Sequence, residues 1–307
     1  MPDSLIPPAG SRIPDEITIG IVNLMPPAGM RGIEAQFKNL LPDAHAGTRI
    51  ALRRFALAPA ANHEPLDALW PARVDGLIVT GTQPQAIDIP DEPCWPALAR
   101  LVDWAAGHAS SVIWSCLAAQ AAVFAVSGIA RRKLPQKLSG IYMAETVAAH
   151  RLTALLPRHW PVPHSRYNTL DEAPLRDHGY TILSRGPDIG ADTFIKQHGE
   201  SLFVLFQGHP EYLPATLPGE YLRDIRRYLS GQSETYPEIP EHCLSPAAIA
   251  GFAALRDSAL KTRDPSLADR LTAPEPPAFT WRNPAQSLYD GWLAYLVAAA
   301  SRRLPAG

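Results

Sequence analysis

The chain has little cysteine. Three residues in 307 are an odd and sparse set that builds no disulfide framework, which points to a reducing compartment. It has no excess of charge of either sign. Its 28 basic and 30 acidic residues are interspersed and give a formal net charge of −2, so neither a nucleic-acid footprint nor a charged tail is read from it. It has no long apolar run: nothing reaches the roughly 18 residues of a membrane span. The N-terminal "MPDSLIPPAGSRIPDE" has neither the apolar stretch nor the cleavage pattern of a secretory signal. There is no internal repeat and no Cys/His spacing of a zinc site, so no metal is expected. These absences leave a cytoplasmic protein without membrane or nucleic-acid partners as the expectation. What the chain does have is 46% hydrophobic content, as in a globular protein with a packed core, and 32 prolines, which fix many turns.

Short apolar or alternating runs at 17–23, 49–57, 74–82 and 111–115 read as strands. Helical spacing marks 31–41, through Ile33, Phe37, Leu40 and Leu41, then 94–109, and then 117–128, which Gly128 ends. This order predicts an α/β fold, a doubly wound, mostly parallel sheet with flanking helices. Further strands are expected at 181–185, 193–199 and 201–212, and helices at 216–230 and 285–300. Residues 232–278 are rich in Pro, Ser and Thr and hold one helical patch at 245–260. They read as a Pro-rich excursion within a single domain spanning 1–307.

In such a sheet, reactive groups collect at the carboxyl ends of strands. The phrase "VIWSCLAAQAA" places Cys116 where a strand turns into a helix. There the helix dipole and free N–H groups stabilise a thiolate, and the Leu117 N–H becomes a natural oxyanion donor. A buried structural cysteine is the competing reading. A cysteine nucleophile needs a base, and the base needs an orienting group. "FQGHPEY" supplies both after a strand, His209 with Glu211 two residues on. The other nine histidines, His45, His63 and His242 among them, read as surface residues. Cys94 and Cys243 lack a comparable setting.

These residues resemble a known family. The strand–Cys–helix turn with "GHPEY" is similar to the class I glutamine amidotransferase-like fold. More narrowly, the chain resembles the homoserine O-acyltransferases of methionine biosynthesis. The matching phrases run in family order: "NLMP" (23–26), "GLIVTG" (76–81), "AAQAA" (118–122), "KLSGIY" (137–142), "PHSRY" (163–167), "GHPEY" (208–212), "EYLRD" (220–224) and "WRNPAQSLYDGWLAYLV" (281–297). The resemblance implies a catalytic triad of Cys116, His209 and Glu211. It implies acyl-CoA, acetyl-CoA or succinyl-CoA, as co-substrate with no bound cofactor, and small-molecule substrates as partners. It also implies a ping-pong reaction through a Cys116 thioester. The family's acceptor-binding positions fall on Lys137, Ser165, Glu220 and Arg223, with Glu220 for the ammonium and Arg223 for the carboxylate of an amino acid. The family often forms dimers, so a homodimer is admitted.

The chain departs from the family in four places. The lysines that usually follow "NLMP" are replaced by Pro27 and Ala28, and the first cation is Arg31, a candidate substitute near the oxyanion. The acyl-donor selectivity position carries Gln85, which has the bulk of the acetyl-type Glu without its charge; the reading leans slightly towards acetyl. Leu117 stands where Trp is common, which is expected to alter the pocket wall. The 232–278 connection is long, either a lid over the acceptor pocket or a surface excursion. No phosphate loop marks a CoA site. Homoserine is the expected acceptor, with serine open beside it, since one methylene discriminates by only about 1–3 kcal/mol. A glutaminase or amide hydrolase and a non-enzymatic binding protein on the same fold also remain open.

Overall fold

The structure, a computed structural model, describes residues 12–304. The chain opens with β1 (Glu16–Asn23) and α1 (Pro27–Lys38), then a short hairpin of β2 (Ala44–His45) with β3 (Thr48–Ala56). β4 (Glu64–Pro65), β5 (Gly76–Val79), α2 (Trp95–His108), β6 (Ser111–Ser115) and α3 (Leu117–Ser127) follow. The second half comprises β7 (Arg132–Thr146), β8 (His159–Thr169), α4 (Glu172–Asp177), β9 (Thr181–Gly186), β10 (Gly190–His198) and β11 (Ser201–Phe206). Helices α5 (Thr216–Leu229), α6 (Pro246–Thr262) and α7 (Arg282–Arg303) end it.

One sheet carries the fold, in the order β2-β3-β1-β5-β6-β11-β10-β9-β7-β8. From β3 to β11 neighbouring strands are parallel; from β11 to β8 they are antiparallel. The central strands are apolar on both faces because helices cover both. Period-two alternation divides the core. Leu77, Val79, Val112 and Trp114 pack towards α2 and α3. Ile17, Ile19, Ile78 and Ile113 pack with Phe37 of α1 and with Leu288, Trp292 and Leu296 of α7. The architecture is therefore the expected mostly parallel α/β sheet with flanking helices, extended on one side by an antiparallel half.

Three local expectations shift. The helix expected at 31–41 runs from Pro27 at its first turn to Lys38. Leu40 and Leu41 are buried beyond its end, where the residue before Pro42 disfavours helical backbone. The strand expected to run to 212 stops at Phe206, and the next backbone donors turn elsewhere: Gln207 N–H to Asp192 O and His209 N–H to Pro163 O, both at 2.8 Å. Strands β7 and β8, the longest antiparallel pair, had no counterpart in the periodicity. Pro161 and Pro163 argue against a strand interior, but β8 is the sheet's last strand, where a missing N–H is tolerated. In β7 the register breaks between Lys133 and Leu138. Such irregularities re-aim side chains, and this one holds Lys137.

Within 232–278, α6 packs Phe252, Leu255 and Ala259 against Tyr221, Leu222 and Ile225 of α5. Ahead of it, Glu241 pairs with β7 through Ile141 N–H to Glu241 O (3.0 Å) and Glu241 N–H to Ser139 O (2.8 Å).

Candidate active site

Cys116 sits between β6 and α3 with φ 51° and ψ −109°, backbone that a non-glycine residue adopts at a cost of about 1–3 kcal/mol. The surroundings hold it there. Its N–H donates to Phe206 O at 2.8 Å, and its carbonyl accepts from Gln120 N–H at 3.1 Å. Gly81, two residues past β5, lies against the turn. A Cβ there would stand 3.2 Å from Cys116 Cβ and 3.7 Å from the Leu117 nitrogen. The Leu117 N–H, the first of α3, has no backbone partner among the described residues, so the anion-stabilising end of the helix opens beside the sulfur. The Leu117 side chain is another matter. It is buried and packs into the core.

Beyond β11, His209 and Glu211 close on the cysteine. His209 interacts with Cys116, and its Nδ1 lies 2.8 Å from Glu211 Oε1. A carboxylate only accepts, so Nδ1 carries the proton and Nε2 faces the sulfur. Glu211 Oε1 also accepts from Ser115 Oγ at 3.2 Å. Burial alone would push the imidazole down, yet Glu211 and Cys116 outweigh it and hold His209 well above its ordinary value. Tyr212 stacks on the His209 ring at 4.2 Å between centroids. The remaining thiols are poor candidates: burial raises Cys94, and pushes Cys243 up to about 11.

The antiparallel half and α5 bring the expected acceptor residues together. Glu220 accepts from Ser165 Oγ and, at 2.9 Å, from Tyr212 Oη. Lys137 Nζ lies 3.6 Å from Glu220 and donates to Asp224 Oδ2 at 2.8 Å. Arg223 Nε and Nη2 donate to Asp224 Oδ1 at 3.1 and 3.0 Å. Burial would raise the Glu220 carboxyl, but Lys137 and Arg223 keep it below its ordinary value and hence charged. Two cations thus face two anions, and a zwitterionic amino acid enters without changing the balance. Tyr212 and Asp224, which tie this group to His209 and to itself, gave no signal in the sequence beyond their place in the matching phrases.

The loop after Gly81 carries Gln85, which is exposed. Its backbone N–H donates to Glu92, 3.0 Å from Oε2. Glu92 in turn takes Arg131 Nη2 at 2.6 Å, with both side chains 1% exposed. Arg131 also donates to Ala86 O and Ile87 O. This buried pair therefore fixes the shape of the Gln85 loop. Arg31 lies exposed on α1, and among the described residues no hydrogen bond or ion pair ties it to the Cys116 group.

His164, expected at the surface, is fully buried. Its Nδ1 accepts from Arg166 Nε at 3.3 Å, which leaves the proton on Nε2, 3.2 Å from Asp192 Oδ1. A Cβ on Gly208 would meet Asp192 Oδ1 at 2.5 Å, so this cluster backs the backbone just before His209. Burial is the main reason that His164 falls from 6.5 to about 4. The sign follows. Above pH 6.5 the ring is neutral in both folded and unfolded chains. As pH falls towards 4 the unfolded chain gains the proton first, and about 3 kcal/mol of stability is lost over that window. Urea unfolding from pH 7 to 4 should decline more steeply in the wild type than in His164→Asn, which does not titrate; parallel declines would contradict this.

Comparisons with known proteins show the family. A family model described as homoserine O-succinyltransferase matches residues 10–303. The homoserine O-succinyltransferase of Methylorubrum extorquens (strain DSM 6343 / CIP 106787 / DM4) is 41% identical over 296 residues, covering 91% of this chain and 86% of that one. That of Rhodopseudomonas palustris is 40% identical over 296 residues, covering 92% and 88%. A solved glutamine amido transferase from Methylobacillus flagellatus, 18% identical, covers 91% of this chain and 94% of its own with a TM-score of 0.50, a likeness of fold. The relatives are named for succinyl transfer, so the lean towards acetyl drawn from Gln85 is not upheld, and neither a glutaminase nor a binding protein is favoured. The chain belongs to the homoserine O-succinyltransferase family and is an acyltransferase.

Proposed function

We propose that this protein moves a succinyl group from succinyl-CoA to the hydroxyl of L-homoserine through a thioester on Cys116, a step of methionine biosynthesis. The observation that carries the reading is one continuous arrangement. The Cys116–His209–Glu211 chain adjoins, through Tyr212, a balanced set of charges fit for an amino acid. His209 Nε2 takes the thiol proton, and the sulfur attacks the donor's carbonyl carbon. A carbon–sulfur bond to Cys116 forms, the one to CoA breaks, and His209 returns the proton to the leaving thiol. The Leu117 N–H serves the developing oxyanion. Glu220 then holds the ammonium of homoserine and Arg223 its carboxylate, for which Nη1 is free of the Asp224 pairing. His209 takes the hydroxyl proton, the oxygen attacks the thioester, and the Cys116 thiol is restored. Gln85 bears on the choice of acyl group through the loop that Glu92 and Arg131 hold. The whole chain serves as one domain, with 232–278 as an excursion packed on α5.

Steady-state assays with both donors and both acceptors test this. Succinyl-CoA with homoserine should exceed acetyl-CoA or serine by about tenfold or more in kcat/KM. Absence of O-succinylhomoserine would refute the reading.

A further inference from the structure

Beside Arg223 of the acceptor group, the outer face of α5 carries two cationic side chains that the group does not use, Arg226 and Arg227. Arg223, Arg226 and Arg227 line a groove of about 410 Å³, floored by Leu229, Pro265 and Ala268. No carboxylate lines it. Arg226 is exposed and has no hydrogen bond or ion pair among the described residues. Asp224, next to Arg223 in sequence, is already shared between Lys137 and Arg223. Arg227 also ties the groove to the loop that leads from the nucleophile. Arg227 donates to Gln83 Oε1, and Gln83 lies two residues beyond Gly81, which abuts Cys116. Two residues of chain advance at most about 7 Å, and the two side chains bring the span to at most roughly 20 Å. That is the reach of a pantetheine arm.

We infer that this groove binds the nucleotide end of the acyl-CoA donor, Arg226 and Arg227 taking the phosphates and the apolar floor the adenine. Guanidinium forks suit phosphate oxygens in pairs, and an exposed cation with no protein partner loses none when it takes one. The ribose phosphate and pyrophosphate bring several negative charges, which the groove lacks. Side chains would thus do what a glycine-rich phosphate loop does elsewhere. The inference rests on the reading that the donor is an acyl-CoA.

Arg226→Glu and Arg227→Ala test it against two donors, succinyl-CoA and S-succinylpantetheine, which has the thioester but no nucleotide. The KM for succinyl-CoA should rise about tenfold or more, that for S-succinylpantetheine should stay within about twofold, and added salt should weaken only the former. An unchanged KM for succinyl-CoA, or equal losses with both donors, would overturn the assignment. Calorimetry with free CoA separates this from the proposed reaction. If the wild type transfers acyl from neither donor, the reaction fails, but CoA binding that weakens about tenfold in Arg226→Glu still upholds the groove. No CoA binding by the wild type, or equal binding by the variant, overturns it.

Discussion

Cys116→Ala is expected to lose about 10⁴-fold or more in kcat/KM while the fold stays intact. The sulfur is the atom on which the acyl group rests, and no other thiol can replace it: Cys94 and Cys243 are held protonated by burial. Alanine retains the Cβ, so the turn at φ 51° asks of it what it asks of cysteine. Cys116 is only partly buried, so loss of one atom leaves no closed cavity. Serine at this position should do little better, because its hydroxyl has a far higher pKa and no helix end makes it a ready alkoxide. Steady-state rates beside thermal unfolding curves check this. Superimposable unfolding with near-zero turnover is expected; a variant that keeps more than about 1% of the activity would mean that the acceptor attacks the donor directly.

The second large effect belongs to Glu211→Gln, with an expected fall in kcat of about 10³–10⁴-fold and little change in KM for homoserine. Glu211 Oε1 fixes the proton of His209 on Nδ1, and its charge sustains the imidazole against burial. A glutamine has two ways to sit there, and neither works. With its NH₂ towards His209 it donates where a donor already stands, so the ring must place its proton on Nε2 and cannot take one from the sulfur. With its carbonyl towards His209 and Ser115, the NH₂ occupies the place of Oε2, which is buried without a hydrogen-bond partner among the described residues. An unsatisfied buried donor costs about 1–3 kcal/mol. Either way the negative charge is gone. The acceptor group at Glu220 and Arg223 is untouched, which is why the loss falls on kcat. A rise in KM at constant kcat would show that Glu211 binds substrate and does not orient the base.

The strand at 111–115, its turn at Cys116 and the His209–Glu211 pair were legible because each rests on local signals: a β-branched run, a helix that starts at once, a His-Pro-Glu after a strand. Of the antiparallel half, β9 and β10 were legible, β7 and β8 were not. The latter two carry prolines and a register break, and β-structure of that kind is decided by partners distant in sequence. Lys137 and Ser165 were therefore reached only through resemblance to a family, while the structure explains their meeting: an irregular stretch of β7 and an edge strand both face α5. His164 was misread as a surface residue because a lone histidine gives no sign of its burial; its partners Arg166 and Asp192 come from β8 and β10. At Leu117 the side chain lies in the core while the N–H opens beside Cys116. A residue beside a nucleophile can lend its N–H to the site and its side chain to the core, and spacing alone does not separate the two.

The central claim is a covalent acyl-enzyme on Cys116, and intact-protein mass spectrometry tests it most directly. After rapid mixing with succinyl-CoA and acid quench, the wild type should gain the mass of one succinyl group, Cys116→Ala should gain none, and homoserine added before the quench should discharge the adduct. An adduct of equal yield in Cys116→Ala, or no adduct in a wild-type enzyme that is turning over, would contradict the account.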